Sequence, residues 1–153
     1  MHTGGVSVMA TDAAKLTRFE RVMRADEHIS VCAVRKEFTT EKFSHYRPVC
    51  VAIRAGRLDM VEKFMMFPEF TRNQDAVLEA TQCYVNNPSD KAIAILKCLI
   101  DAGVHVDNSS AEVALASEDE TLMSEVRRGM TNQSSPAMYR YFREAFNAMF
   151  GAC

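Results

Sequence analysis

One twenty-residue stretch, Arg47 to Met66, reads RPVCVAIRAGRLDMVEKFMM, and its apolar spacing returns twice further along the chain. Val49, Ala52 and Ile53 share one face of a first helical pattern. Leu58, Val61, Phe64 and Met65 share one face of a second. Ala55-Gly56 separates the two, so the stretch predicts a helix–turn–helix hairpin. Pro48 suits the first helical position, where a missing N–H costs nothing, and Gly56 suits a tight link that a Cβ would hinder. The steps of three, three and one in the second pattern recur in Ile93, Leu96, Leu99 and Ile100. The step from Val49 to Ala52 recurs from Val77 to Ala80 and again from Val113 to Ala116. Leu122 follows Val113 by the nine residues that separate Leu58 from Val49. Repetition at about 30 residues predicts stacked units, none of which can bury its apolar face alone.

The residues that carry this repetition resemble the ankyrin-repeat family. Arg47-Pro48-Val49-Cys50-Val51-Ala52-Ile53 is similar to the family's Thr-Pro-Leu-His-x-Ala-Ala opening, and Gly56-Arg57-Leu58-Asp59-Met60-Val61 to its Gly-His-x-x-Val-Val. Ile95 to Asp107 matches the outer helix and its Leu-Leu-x-x-Gly-Ala-Asp-Val-Asn ending. The match covers Arg47 to Asp107. It departs at Arg47 and Cys50, which stand in place of threonine and histidine. It departs again around Tyr84 to Asp90, where about seven extra residues lengthen the inner helix or the loop between the helices. The resemblance implies an all-α fold, an ankyrin-like solenoid of three to four stacked helix-turn-helix repeats with a C-terminal capping helix. It also implies a non-enzymatic adaptor that binds a protein partner.

Along the chain, residues 1–11 are small and polar and are expected to be flexible. A repeat domain is expected over 12–129, a linker over 130–134 and an amphipathic helix over 135–153. Asp12 suits the N-cap of a helix through Arg24 whose Lys15, Arg18 and Arg21 form a solvated stripe. A second helix is expected over Ile29 to Phe38. Phe67-Pro68 ends the outer helix of the organising repeat, Asp90 suits the cap of the next one, and Gly103 its left-handed exit. In the last repeat Glu120 takes the place of the hairpin glycine and Glu125 that of the buried Val61. From Pro136, Met138, Tyr141, Phe142, Ala145, Phe146 and Met149 form the most regular stripe in the chain.

Charge is nearly balanced, with 18 basic against 20 acidic groups. No basic face of the kind nucleic acid requires is expected. No apolar run approaches the ~18 residues that span a bilayer, and the first residues lack a secretory pattern. Five cysteines, none in a Cys-x-x-Cys pair, suit small core residues in a reducing, intracellular and cytoplasmic setting. Phosphate loops, nucleophile elbows and zinc spacings are absent from the sequence, so neither catalysis nor a cofactor or metal is expected.

Carried over residue by residue, the resemblance implies a binding strip on the concave side. Val51, Arg54 and Ala55 come from the first inner helix, Glu79 and Gln82 from the next, and Glu118 and Asp119 from the last. Hairpin tips add His45, Tyr46, Arg72, Asn73 and His105, with Tyr46 and Arg54 as anchors. A monomer is expected. The alternative is a structural, self-assembling protein that oligomerises through the C-terminal helix. A valine forced into a left-handed C′ position is strained, so Gly103→Val is expected to lower stability by about 1–2 kcal/mol in a thermal melt.

Overall fold

The computed structural model describes residues 12–25, 27, 29–31, 34, 46–71, 75–130 and 136–151. Among them are nine helices and no strand. These are α1 (Asp12–Arg24), α2 (Tyr46–Arg54), α3 (Leu58–Phe64), α4 (Pro68–Thr71), α5 (Ala76–Asn86), α6 (Asp90–Asp101), α7 (Asn108–Ser117), α8 (Glu120–Met130) and α9 (Pro136–Phe150). No helix among the described residues is long and apolar enough to cross a membrane.

Three pairs fold back as hairpins: α2 with α3, α5 with α6, and α7 with α8. The first helices pack side by side in the order α2, α5, α7, and the second helices in the order α3, α6, α8. The reason lies in the second helices. Each buries an adjacent pair and the residue three further on: Met60, Val61 and Phe64; Ile95, Leu96 and Leu99; Leu122, Met123 and Val126. A two-helix hairpin has too little surface to cover such a set, so neighbouring hairpins supply the cover. The first helices bury Val49 with Ala52, Val77 with Ala80, and Ala111 with Ala114.

That last pair corrects the expected register. Val113 is only half-buried and Ala116 is exposed, so the third hairpin begins two residues earlier than its valine suggests. Met123, not Glu125, holds the position of Val61, and the residue that turns the chain is Glu118, not Glu120. Glu118 is left-handed at φ 53°, four residues after Ala114, as Gly56 at φ 71° is four after Ala52. Gly56 and Gly103 each close a Schellman motif. Gly56 N–H donates to Ile53 O and Arg57 N–H to Ala52 O, both at 3.0 Å; Gly103 N–H donates to Ile100 O at 3.0 Å and Val104 N–H to Leu99 O at 3.1 Å.

The extra length of the second hairpin is divided between its helices. α5 runs four residues further past Ala80 than α2 does past Ala52, and α6 starts three residues earlier before Leu96 than α3 does before Val61. The α6 N-cap is Ser89, whose Oγ accepts from Ala92 N–H at 3.1 Å; Asp90 is already helical. The organising outer helix is also shorter than expected. α3 stops at Phe64, and Phe67 leads into the single turn of α4, where Phe70 is buried with its ring 4.9 Å from that of Phe64.

Both ends of the stack are covered. α1 packs on α2, and Phe19, Met23, Val31 and Val34 are buried there; the rest of the expected Ile29 to Phe38 helix lies largely outside the described residues. α9 lies on α7 and α8, burying Phe142 and Phe146, with the Arg127 guanidinium 4.7 Å above the Phe146 ring. α8 runs one residue into the expected linker: Met130 is helical and fully buried. A Cβ on Gly129 would come within 2.7 Å of Val106 Cγ2, which gives this helical glycine a packing reason.

Arg57 ties the N-terminal cover to the first turn. The residue is 4 % exposed, and its guanidinium donates from Nη1 to the carbonyls of Met23 and Glu27 at 3.1 Å each and holds Asp59 through Nε and Nη2 at 3.0 and 2.9 Å. The Asp59 side chain is 45 % exposed, so solvent screens the ion pair. The larger contribution is the pair of main-chain carbonyls, which lose their partner if the side chain is cut back. Arg57→Ala is expected to cost about 2–3 kcal/mol in urea denaturation, and lysine, lacking the fork, to recover only part of it.

Candidate functional site

A cleft of about 310 Å³ opens between the first and second hairpins. It follows from the unequal hairpin lengths, because the extended ends of α5 and α6 rise beyond the turn at Gly56. Ile53, Ala80 and Ile95 are buried at its floor, and Cys83 and Ala92 are half-buried on its walls. Its rim is polar and exposed, with Arg54, Asn86, Asn87, Ser89 and Lys91. A Cβ on Gly56 would lie 3.7 Å from Lys91 Cδ, so the lysine stem reaches across the turn of the first hairpin. The volume is at the small end of ligand pockets, and an apolar floor beneath a few polar groups is their usual composition.

Glu79, Gln82, Cys83 and Asn86 recur at helical spacing on one face of α5. Arg54 Nη1 donates to Glu79 Oε1 at 3.0 Å and links the first two hairpins. The Cys83 thiol donates to Glu79 Oε2 at 3.6 Å. Burial first, then the neighbouring Glu79 carboxylate, pushes the Cys83 thiol up to about 11. That shift favours the protonated thiol at neutral pH.

The expected strip is only partly assembled. Arg54, Glu79 and Gln82 come together beside the cleft. Val51 does not belong to it: Pro48 to Ile53 are all buried, because α2 is enclosed by α1, α3 and α5. Ala55 is half-buried in the first turn. Glu118 and Asp119 form the third turn, and the Asp119 carboxylate is occupied, with Oδ1 accepting from Leu122 N–H at 3.0 Å and both oxygens facing Tyr84 O–H at 3.2 and 3.3 Å. Burial and then Asp119 hold the Tyr84 phenol above its ordinary value. His105 is exposed in the segment leading into α7, at the opposite end of the helices, about 15 Å away along an 11-residue helix such as α5. His45, Arg72 and Asn73 and the side chain of Tyr46 lie outside the described residues.

Sequence reasoning missed the cleft residues Cys83, Asn86, Asn87, Ser89 and Lys91. The surplus of seven residues was the available signal, but its direction was not. Among the described residues no group of three His, Cys, Asp or Glu side chains is placed to hold a metal ion. Comparison with protein-family models, with curated proteins and with solved structures finds no match.

Because protonated Cys83 is stabilised by its surroundings, its alkylation by iodoacetamide, followed by peptide mass spectrometry, is expected to be slow at pH 8 and to climb steeply towards pH 11. Glu79→Gln removes the nearest negative charge, and is expected to lower the thiol's pKa and speed labelling several-fold at pH 8.

Proposed function

We propose that this chain is a protein-interaction module with no catalysis of its own, an ankyrin-like solenoid whose inner layer and adjoining cleft receive a protein partner. The shared burial pattern of three consecutive hairpins supports the solenoid reading. The observation that carries the binding reading is the exposed group Arg54, Gln82 and Asn86 beside a cleft with an apolar floor. Such a surface joins a desolvated pocket to a polar rim, the arrangement in which a few residues dominate affinity. The thiols of Cys83 and Cys98, which form no disulfide among the described residues, fit work inside the cell.

A second reading rests on α9, where Tyr141 is 61 % and Met149 41 % exposed. Here the helix joins two copies of the chain.

Affinity capture followed by titration separates the two readings. The chain is expected to run as a monomer in light scattering. A captured partner is expected to bind the Arg54→Ala, Gln82→Ala double variant about 2 kcal/mol more weakly, with circular dichroism unchanged. Undiminished binding by the folded variant would move the interface elsewhere, and a dimer broken by Tyr141→Glu would establish the second reading instead.

A further inference from the structure

We infer that the cleft between the first and second hairpins docks an extended segment of a partner protein in which an aliphatic side chain stands beside an aspartate or glutamate. The inference rests on the reading of the chain as a protein-interaction module and makes its ligand specific. Charge and shape carry it. The floor of Ile53, Ala80 and Ile95 is apolar and buried, and a volume of about 310 Å³ suits one aliphatic side chain with its adjoining backbone.

The lining includes two cations, Arg54 and Lys91, and no carboxylate. Lys91 makes no ion pair among the described residues. Arg54 is paired, but with Glu79 across a surface where its own side chain is 50 % exposed, so a ligand carboxylate can join or replace that contact at little cost. Of the acidic groups near this edge, Glu79 stands beside the cleft with its carboxylate engaged by Arg54 and by the Cys83 thiol. Asp90 and Asp119 both act on Tyr84, and Asp119 belongs to the turn between α7 and α8, beyond the second hairpin from the cleft. Lys91 thus gives the cleft a cation with no ion-pair partner among the described residues, while Asp119 borders the next turn. That polarity favours an acidic segment and disfavours a basic one. The side-chain amides of Asn86 and Asn87 on the rim offer both donors and acceptors to a peptide backbone.

The chain has five isoleucines, and two of them, Ile53 and Ile95, line the cleft, while Ile29 and Ile100 lie elsewhere. A phage library of random peptides would be panned against the intact chain, and the enriched peptides synthesised and titrated into protein labelled with ¹³C at the isoleucine δ1 methyls. The expected peptides carry leucine, isoleucine or methionine next to an acid. They shift the Ile53 and Ile95 methyls, leave those of Ile29 and Ile100 in place, and bind Lys91→Glu at least about tenfold more weakly. Lys91 is exposed, so this variant is expected to keep the wild-type melt.

Peptides that bind Lys91→Glu equally well, or that shift other methyls, would remove the cleft as the site while leaving the interaction module standing. A library yielding no peptide that moves Ile53 and Ile95 would overturn the inference. So would octanoate moving them where no peptide does, since the cleft would then hold a small acid. Loss of all partner binding by the intact chain would be the separate failure of the module reading.

Discussion

Each second helix carries three large apolar side chains that its own hairpin cannot cover, and this shortage of cover organises the molecule. Phe64, Leu99 and Val126 occupy equivalent places and are fully buried because hairpins stand against one another. A stack has two ends, and at each end the same shortage returns. α1 meets it on one side with Phe19 and Met23, and α9 on the other with Phe142 and Phe146. Both helices are amphipathic, which is what a terminal cover between core and water requires.

The N-terminal cover is secured differently from the C-terminal one. At the first turn the guanidinium of Arg57 supplies a directional lock, donating to the carbonyl of Met23 in α1, to that of Glu27 just beyond it, and to the Asp59 carboxylate in the first turn of α3. At the far end the contact is dispersive, aided by Arg127 over the Phe146 ring. Burial of Arg57 also fixes how closely α1 approaches α2, and this enclosure is what removes Val51 from the surface. The candidate site consequently begins at Arg54, the first side chain of α2 beyond Pro48 to reach solvent.

Much of this was open to reading in the sequence where residue type and backbone demand coincide. Gly56 and Gly103 occupy left-handed positions where a Cβ is penalised, and the Val49 to Ala52 and Val77 to Ala80 steps mark buried faces. The third hairpin misleads because its buried pair is Ala111 and Ala114, outweighed in hydrophobicity by Val113, and because its left-handed residue is a glutamate. Ser89 and Asp90 both suit an N-cap, and only geometry separates them. The burial of Val51 depends on a helix some thirty residues earlier, a contact that local periodicity does not contain. The cleft was half visible: the surplus length could be counted, but not the direction in which it projects.

That surplus is divided as four residues on α5 and three on α6, with a three-residue turn kept at both Ala55 to Arg57 and Asn87 to Ser89. Four and three are the integers on either side of the 3.6 residues in a helical turn. Each helix is thereby lengthened by about one revolution, and the side chains that meet neighbouring hairpins keep their direction. Adding two residues to a helix would rotate its end by roughly 200° and swing its buried face towards water. Hairpin length in such a stack is therefore quantised, and the depth of a cleft formed by one tall hairpin beside a short one changes in steps of about 5 Å. A lineage of such proteins can vary what its clefts admit only by whole turns, or else by exchanging the side chains on a rim whose height is fixed.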